Sequence, residues 1–107
     1  MKKKLTTEED YRQRVDRVCM YIREHLDKEI DMRRLAVLSA FSPFHFHRIM
    51  RAYLKEPIGA FIIRTRVETA AKLLRYTDLP VADIAYRVGY DTPSSLTKSF
   101  CKFFPSS

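Results

Sequence analysis

The sequence repeats itself across its own middle. Leu35-Ala36 is matched by Ile84-Ala85, Ala40-Phe41 by Gly89-Tyr90 and Ser42 by Asp91, all at one constant separation. Past this turn the separation widens by a single residue, pairing Phe46 with Leu96, Arg48 with Lys98 and Met50 with Phe100. A short apolar-periodic segment, a turn of small, aromatic and polar residues, and a second segment opened by proline therefore occur twice. A repeat of that form leaves few folds open: two helix-turn-helix units, or two ordinary helical hairpins.

The 107 residues, 46% of them hydrophobic, suffice for one compact domain or two very small lobes, not for a large enzyme with a deep cleft. Gly59 and Gly89 are the two glycines, and β-branched runs between tight turns are missing. The fold class is therefore all-α. Helical spacing predicts six segments. Helix 1 runs roughly from Glu8 to Leu26, opened by a Thr7/Asp10 capping box and carrying Val15, Val18, Cys19, Ile22 and Leu26 inward. Asp31 caps a second helix with Leu35, Ala36 and Leu38, ending near Ala40. Ser42-Pro43 opens a third, with Phe46, Ile49, Met50 and Tyr53 as its buried stripe, and Pro57 breaks it. A fourth spans about Ile58 to Arg75, with Phe61, Ile62, Ala70, Ala71 and Leu74 buried. The fifth follows Asp78-Leu79-Pro80, buries Val81, Ile84, Ala85 and Val88, and stops at Gly89, where a left-handed residue is cheapest. Thr92-Pro93 opens the sixth, whose stripe is Leu96, Phe100 and Phe103.

Twenty Lys and Arg against thirteen Asp and Glu give a net charge of +7, which favours a polyanionic partner such as nucleic acid or an anionic membrane surface. No apolar run approaches the roughly 18 to 20 residues that cross a bilayer. Met1-Lys2-Lys3-Lys4 leads into Thr6-Thr7-Glu8-Glu9-Asp10 and not into a signal-peptide core, so a cytoplasmic protein is expected. Cys19 and Cys101 form no paired metal motif or staple framework and read as free thiols. No acidic pair, activated cysteine or glycine-rich phosphate loop is present, which argues against an enzyme and gives no reason to expect a cofactor or metal. His45-Phe46-His47 resembles a metal motif until the helix is drawn, because residues two apart lie about 200° around the axis.

Opposite the buried stripe, the third helix carries Phe44, Arg48, Arg51 and Lys55, with His47 beside them and nothing acidic among them. The sixth carries Ser94 and Lys98, flanked by Thr97 and Cys101. Arg48 has the reach and planarity to bond guanine O6 and N7 in a major groove, or else a phosphate. Phe44 either meets a thymine methyl or sugar edge, or packs back on the second helix as a hydrophobic staple. The two helix N-termini, with the Ser42 and Thr92 hydroxyls, suit backbone phosphates. Arg51, Lys55 and Ser95 join them as phosphate-contacting positions.

LAVLSAFSPFHFHRIMRAYLKEPIGAFIIRTRVETAAKLL, Leu35 to Leu74, and VADIAYRVGYDTPSSLTKSFCKFF, Val81 to Phe104, stand in the order and spacing of a known family. On these stretches the chain resembles the DNA-binding domain of the AraC/XylS family of bacterial transcription regulators. The resemblance implies a homeodomain-like fold of two helix-turn-helix subdomains: a basic tail over 1–7, a first subdomain over 8–56, a linker helix over 57–76 and a second subdomain over 77–107. It implies double-stranded DNA as partner, with helices 3 and 6 in successive major grooves. Base-reading positions fall on Phe44, His45, His47 and Arg48, then on Pro93, Ser94, Thr97 and Lys98. The shorter polar reach of Pro93 and Ser94 assigns most direct readout to the first unit and a backbone grip to the second. RNA polymerase, and an effector or dimerisation domain following Ser107, are further expected partners.

Two departures from the family pattern stand out. Ala40 occupies a turn position where a residue tolerant of left-handed geometry is usual. Phe104-Pro105-Ser106-Ser107 stops where members continue into a final short helix, so the last family helix is expected to be missing and helix 6 to fray. The rival from another class is a helical interaction or ligand-sensing module, distinguished by weak, salt-insensitive DNA binding.

Overall fold

Side-chain capping decides where several of these helices begin. The computed structural model describes residues Lys4–Phe104, which form six helices: α1 Thr7–Glu24, α2 Met32–Ser39, α3 Pro43–Leu54, α4 Ile58–Tyr76, α5 Val81–Arg87 and α6 Pro93–Phe103. No strand occurs among the described residues, so the all-α expectation holds. Most of the basic Met1–Lys4 stretch, and the end at Pro105–Ser107 on which the missing final helix was argued, lie outside the described residues. As far as it is described, α6 stays helical to Phe103, with the Phe104 amide donating to the Phe100 carbonyl.

The capping box sits one residue earlier than the Thr7/Asp10 expected. Thr6 N donates to Glu9 Oε1 and Glu9 N to Thr6 Oγ1, both at 3.1 Å. The reciprocal bond needs the extra methylene of glutamate to reach back to the cap amide, and Asp10 turns instead to Arg14. The Thr6 amide first, and the Thr6 hydroxyl second, hold the exposed Glu9 carboxyl below its usual range. Its support of α1 is therefore present above the unfolded pKa and lost as pH falls through the lowered folded value. Asp31 accepts from Arg33 N at 2.9 Å to open α2. Ser42 and Thr92 cap α3 and α6, each followed by proline at the first helical position. α5 has no side-chain cap; Pro80 occupies that place and Asp78 makes no capping bond.

The chain divides into two units. The first holds the residues up to Glu24 together with Ile30–Ile58; the second holds His25–Glu29 and the residues from Gly59 on. In the first unit α1, α2 and α3 pack together around Val15, Val18, Cys19, Ile22, Leu35, Ala36, Phe46 and Met50, all buried. Burial raises the Cys19 thiol pKa, and both Cys19 and Cys101 are free, as expected. In the second unit Ala70 of α4, Ile84, Ala85 and Val88 of α5 and Leu96 of α6 form the core, with Leu73, Leu79 and Tyr90 packed against it.

Several core expectations were too generous. Val81 is 47% exposed and Leu74 44% exposed. Val81 lies on the right stripe, but at the first turn of α5, before the stripe reaches the core members that begin at Ile84. Ile49, Tyr53, Phe100 and Phe103 are half-buried, forming the margins of their stripes. α3 stops at Leu54, ahead of Pro57, because Lys55 takes left-handed geometry at φ 64° and returns its amide to the Arg51 carbonyl.

The two repeated turns solve one backbone problem differently. Ala40 adopts φ 60° and Gly89 φ 96°. A Cβ costs Ala40 about 1 to 2 kcal/mol in this region, whereas Gly89 has none to clash. Gly89 also has no room, since a Cβ there would stand 2.1 Å from the Leu26 carbonyl oxygen and 2.8 Å from Arg66 Nε. Substitutions at the two positions therefore act in opposite directions. Ala40→Gly removes the strain but adds unfolded-state freedom, for a net gain of up to about 1 kcal/mol. Gly89→Ala adds both strain and a backbone clash, for a loss of about 2 kcal/mol or more. Urea denaturation of the two variants checks both signs.

Candidate nucleic-acid interface

Helical periodicity places a basic strip on the side of α3 away from its core. Phe46 and Met50 are fully buried, and opposite them Phe44, His47, Arg48 and Arg51 are exposed. Lys55, expected on the same strip, is exposed but lies past the end of α3 in left-handed geometry and lines a cleft with Glu8 and Arg12. The sequence of α3 contains no acidic residue, so nothing within the helix neutralises the strip. Among the described residues no hydrogen bond or ion pair engages the Arg48 side chain, which leaves its five donors available. Phe44 is 78% exposed. The staple reading of Phe44 fails, because a ring packed back on α2 would be covered.

The histidines differ in freedom. His45 is exposed, with Nδ1 2.9 Å from Ser42 Oγ and its ring edge-on to Phe44 at 5.6 Å between centroids. His47, also exposed, sits edge-on to buried Phe46 at 5.2 Å between centroids. Among the described residues no group of three His, Cys, Asp or Glu is placed to hold a metal ion.

On α6 the corresponding face presents Pro93, Ser94, Thr97 and Lys98, all exposed, with Cys101 continuing the line. The reach is shorter than on α3. Thr97 Oγ1 donates to the Pro93 carbonyl at 2.9 Å, so its hydroxyl faces its own helix, and Lys98 is the one long donor of the four.

The helix starts have an economy that sequence reasoning did not reach. A free helix N-terminus has several unpaired amides. In α3 the first is removed by Pro43, His45 N is taken by Ser42 Oγ at 3.2 Å, and Phe46 N by the Ser42 carbonyl at 2.8 Å. In α6 Pro93, the bond from Ser95 N to Thr92 Oγ1 at 3.1 Å and the bond from Leu96 N to the Thr92 carbonyl do the same. One unpartnered amide remains at each start, on Phe44 and on Ser94. The Ser42 and Thr92 hydroxyls named as phosphate ligands are thus already capping, and Thr92 Oγ1 donates its proton to Ser95 Oγ at 3.0 Å.

Arg14 was also missed. It lies on α1, yet it bonds the turn ahead of α3; the sequence signal was slight, a basic residue directly beside the buried position Val15. A cleft of about 250 Å³, lined by Glu8, Arg12, Ala52, Tyr53 and Lys55, opens elsewhere on the first unit. It falls below the roughly 300 to 1,000 Å³ of ordinary small-molecule sites and is walled mainly by charged chains, a poor match to a ligand-sensing role.

Residues 35–107 match the family model of a helix-turn-helix domain. The chain is similar to the uncharacterized HTH-type transcriptional regulator YbfP of Bacillus subtilis, with 31% identity over 88% of this chain and 32% of that protein. It is similar to the regulatory protein SoxS of Salmonella typhimurium at 28% identity, over 88% of each. It therefore spans about a third of YbfP and most of SoxS. Among solved structures it resembles the DNA-binding domain of AdpA, a global transcriptional factor, in complex with a target DNA. That match has a TM-score of 0.78 and 29% identity and covers 87% of this chain and 84% of the other. No described helix is long and apolar enough to cross a membrane. The chain belongs to the AraC/XylS family of helix-turn-helix transcription regulators, and carries its DNA-binding domain.

Proposed function

We propose that this chain binds double-stranded DNA sequence-specifically through α3 and α6, one helix in each of two successive major grooves. The subdomain reading then makes α4 the linker helix between a reader and a clamp. The observation that carries this is the α3 face: an exposed aromatic ring, two imidazoles and an unpaired guanidinium on one acid-free helix.

The roles follow from reach and chemistry. Arg48 donates bidentately to guanine O6 and N7, and Phe44, one helical turn away at about 6 Å along the axis, meets a thymine methyl. His45 and His47 donate to neighbouring base edges. Arg51 and Lys55 neutralise phosphates, and the Phe44 amide, with the Ser42 cap, holds one phosphate at the positive end of α3. In the second unit Pro93, Ser94, Thr97 and Lys98 line the groove, and the Ser94 amide and the Ser95 hydroxyl, which the capping Thr92 orients, take the backbone.

Major-groove faces on one side of a duplex recur every 34 to 36 Å or about 10 base pairs, so a single chain with two readers suits an asymmetric site. The regulator acts in the bacterial cytoplasm, with no catalytic step of its own. RNA polymerase and an effector or dimerisation domain outside this segment are its proposed further partners.

Selection from a random duplex library, repeated across salt concentrations, tests the reading. A preferred sequence should emerge, with affinity falling steeply as salt rises because phosphate contacts release counterions. Weak binding without salt dependence would favour a protein-interaction module instead. Arg48→Ala should cost about 1 to 3 kcal/mol and relax preference at one or two base pairs. Lys98→Ala should weaken binding evenly across sequences and lower the salt slope by about 1. A broader loss of preference from Lys98→Ala than from Arg48→Ala would overturn the division between reader and clamp.

A further inference from the structure

One side chain outside the reading face controls the turn from which that face starts. Arg14 leaves α1 with its side chain 19% exposed. Its Nε donates to the Ser39 carbonyl at 2.7 Å, one terminal nitrogen donates to the Ala40 carbonyl, and the other lies 3.2 Å from Asp10 Oδ2. The guanidinium carbon stands 3.8 Å from the centroid of the buried Phe41 ring. One planar group thus holds three consecutive residues, and the middle one, Ala40, is the strained left-handed residue.

The chemistry suits the place. α2 ends with carbonyls that have no helical partner, and a cation there also meets the negative end of the helix dipole. Arg17 adds a bond to the Leu38 carbonyl at 3.3 Å. Ser39, fully buried, closes the inner side by donating its hydroxyl to the Ala36 carbonyl and accepting the Phe41 amide. Ser42, the cap of α3, follows directly. The second unit is built otherwise: its turn has glycine and no strain to hold, and its nearby arginine, Arg66, bonds the Lys28 carbonyl while Nε has no partner.

We infer that Arg14 is a positioning residue for sequence readout by α3, acting by keeping the Ala40 turn left-handed. The inference rests on α3 being the DNA reader. Arg14 works through the turn, not by touching a base.

The test uses the full chain and the duplex it selects. Arg14→Lys keeps the charge, but an ammonium cannot bridge two carbonyls and lie flat on a ring; Arg14→Met removes every donor. Each should weaken binding about tenfold, the scale of one lost base contact, and flatten preference at the α3 positions while sparing those of α6. Adding Ala40→Gly, which takes the left-handed geometry without strain, should restore most of the affinity. Amide exchange at Ala40 and Phe41 should quicken in Arg14→Lys with the α1 amides unchanged, a readout that needs no DNA and serves if Arg14→Met does not fold. Unaltered binding and preference in Arg14→Lys, or failure of Ala40→Gly to restore the loss, would sink the clamp while leaving the DNA reading intact. A wild-type chain that selects no sequence would sink the reading itself.

Discussion

Three of the short connections between helices place one residue in left-handed geometry, at Ala40, Lys55 and Gly89, and the rest of this structure is arranged around how the two repeated turns, at Ala40 and Gly89, meet that demand. The turn fixes where the next helix starts, and the start fixes which side faces the core. Once Phe46 and Met50 are committed to the first core and Leu96 to the second, the exposed sides of α3 and α6 are determined. The proposed reading face is a by-product of anchoring: the polar side is whatever the apolar stripe leaves outward.

The two turns divide strain and crowding between them. Ala40 accepts strain in a place with polar company, where carbonyls are claimed by a neighbouring guanidinium. Gly89 avoids strain in a place with no space at all. Alanine does not fit at position 89, whereas glycine would fit at position 40, although the repeat aligns the two. The division parallels the difference between the faces that follow, one rich in long donors and aromatic surface, the other short and mostly hydroxylic.

Much of this was legible in the sequence because much of it is local. Ser42-Pro43 and Thr92-Pro93 announce helix starts through bonds spanning three residues, and the 3.6-residue period separates Phe46 and Met50 from Arg48 and Arg51 without knowledge of the partner. What was misread depends on distance or on fine length. Periodicity names the stripe that holds Val81 and Leu74 but not where that stripe runs past the core. Two overlapping capping registers, Thr6/Glu9 and Thr7/Asp10, differ by one methylene. Arg14 meets residues 25 and 26 positions further along the chain, and no local pattern encodes such a meeting. The roles of the site residues toward bases and phosphates were inferred from the family resemblance and from side-chain chemistry, and binding experiments are their test.

The loop His25–Glu29 belongs with the second unit although both of its flanks belong to the first. The backbone therefore passes between units three times, after Glu24, after Glu29 and after Ile58. A single scission near Ile58 would strip the second unit of Leu26, whose carbonyl seats Gly89, and of Lys28, whose carbonyl holds Arg66. The duplicated halves are thus not interchangeable cassettes. Neither can be excised whole.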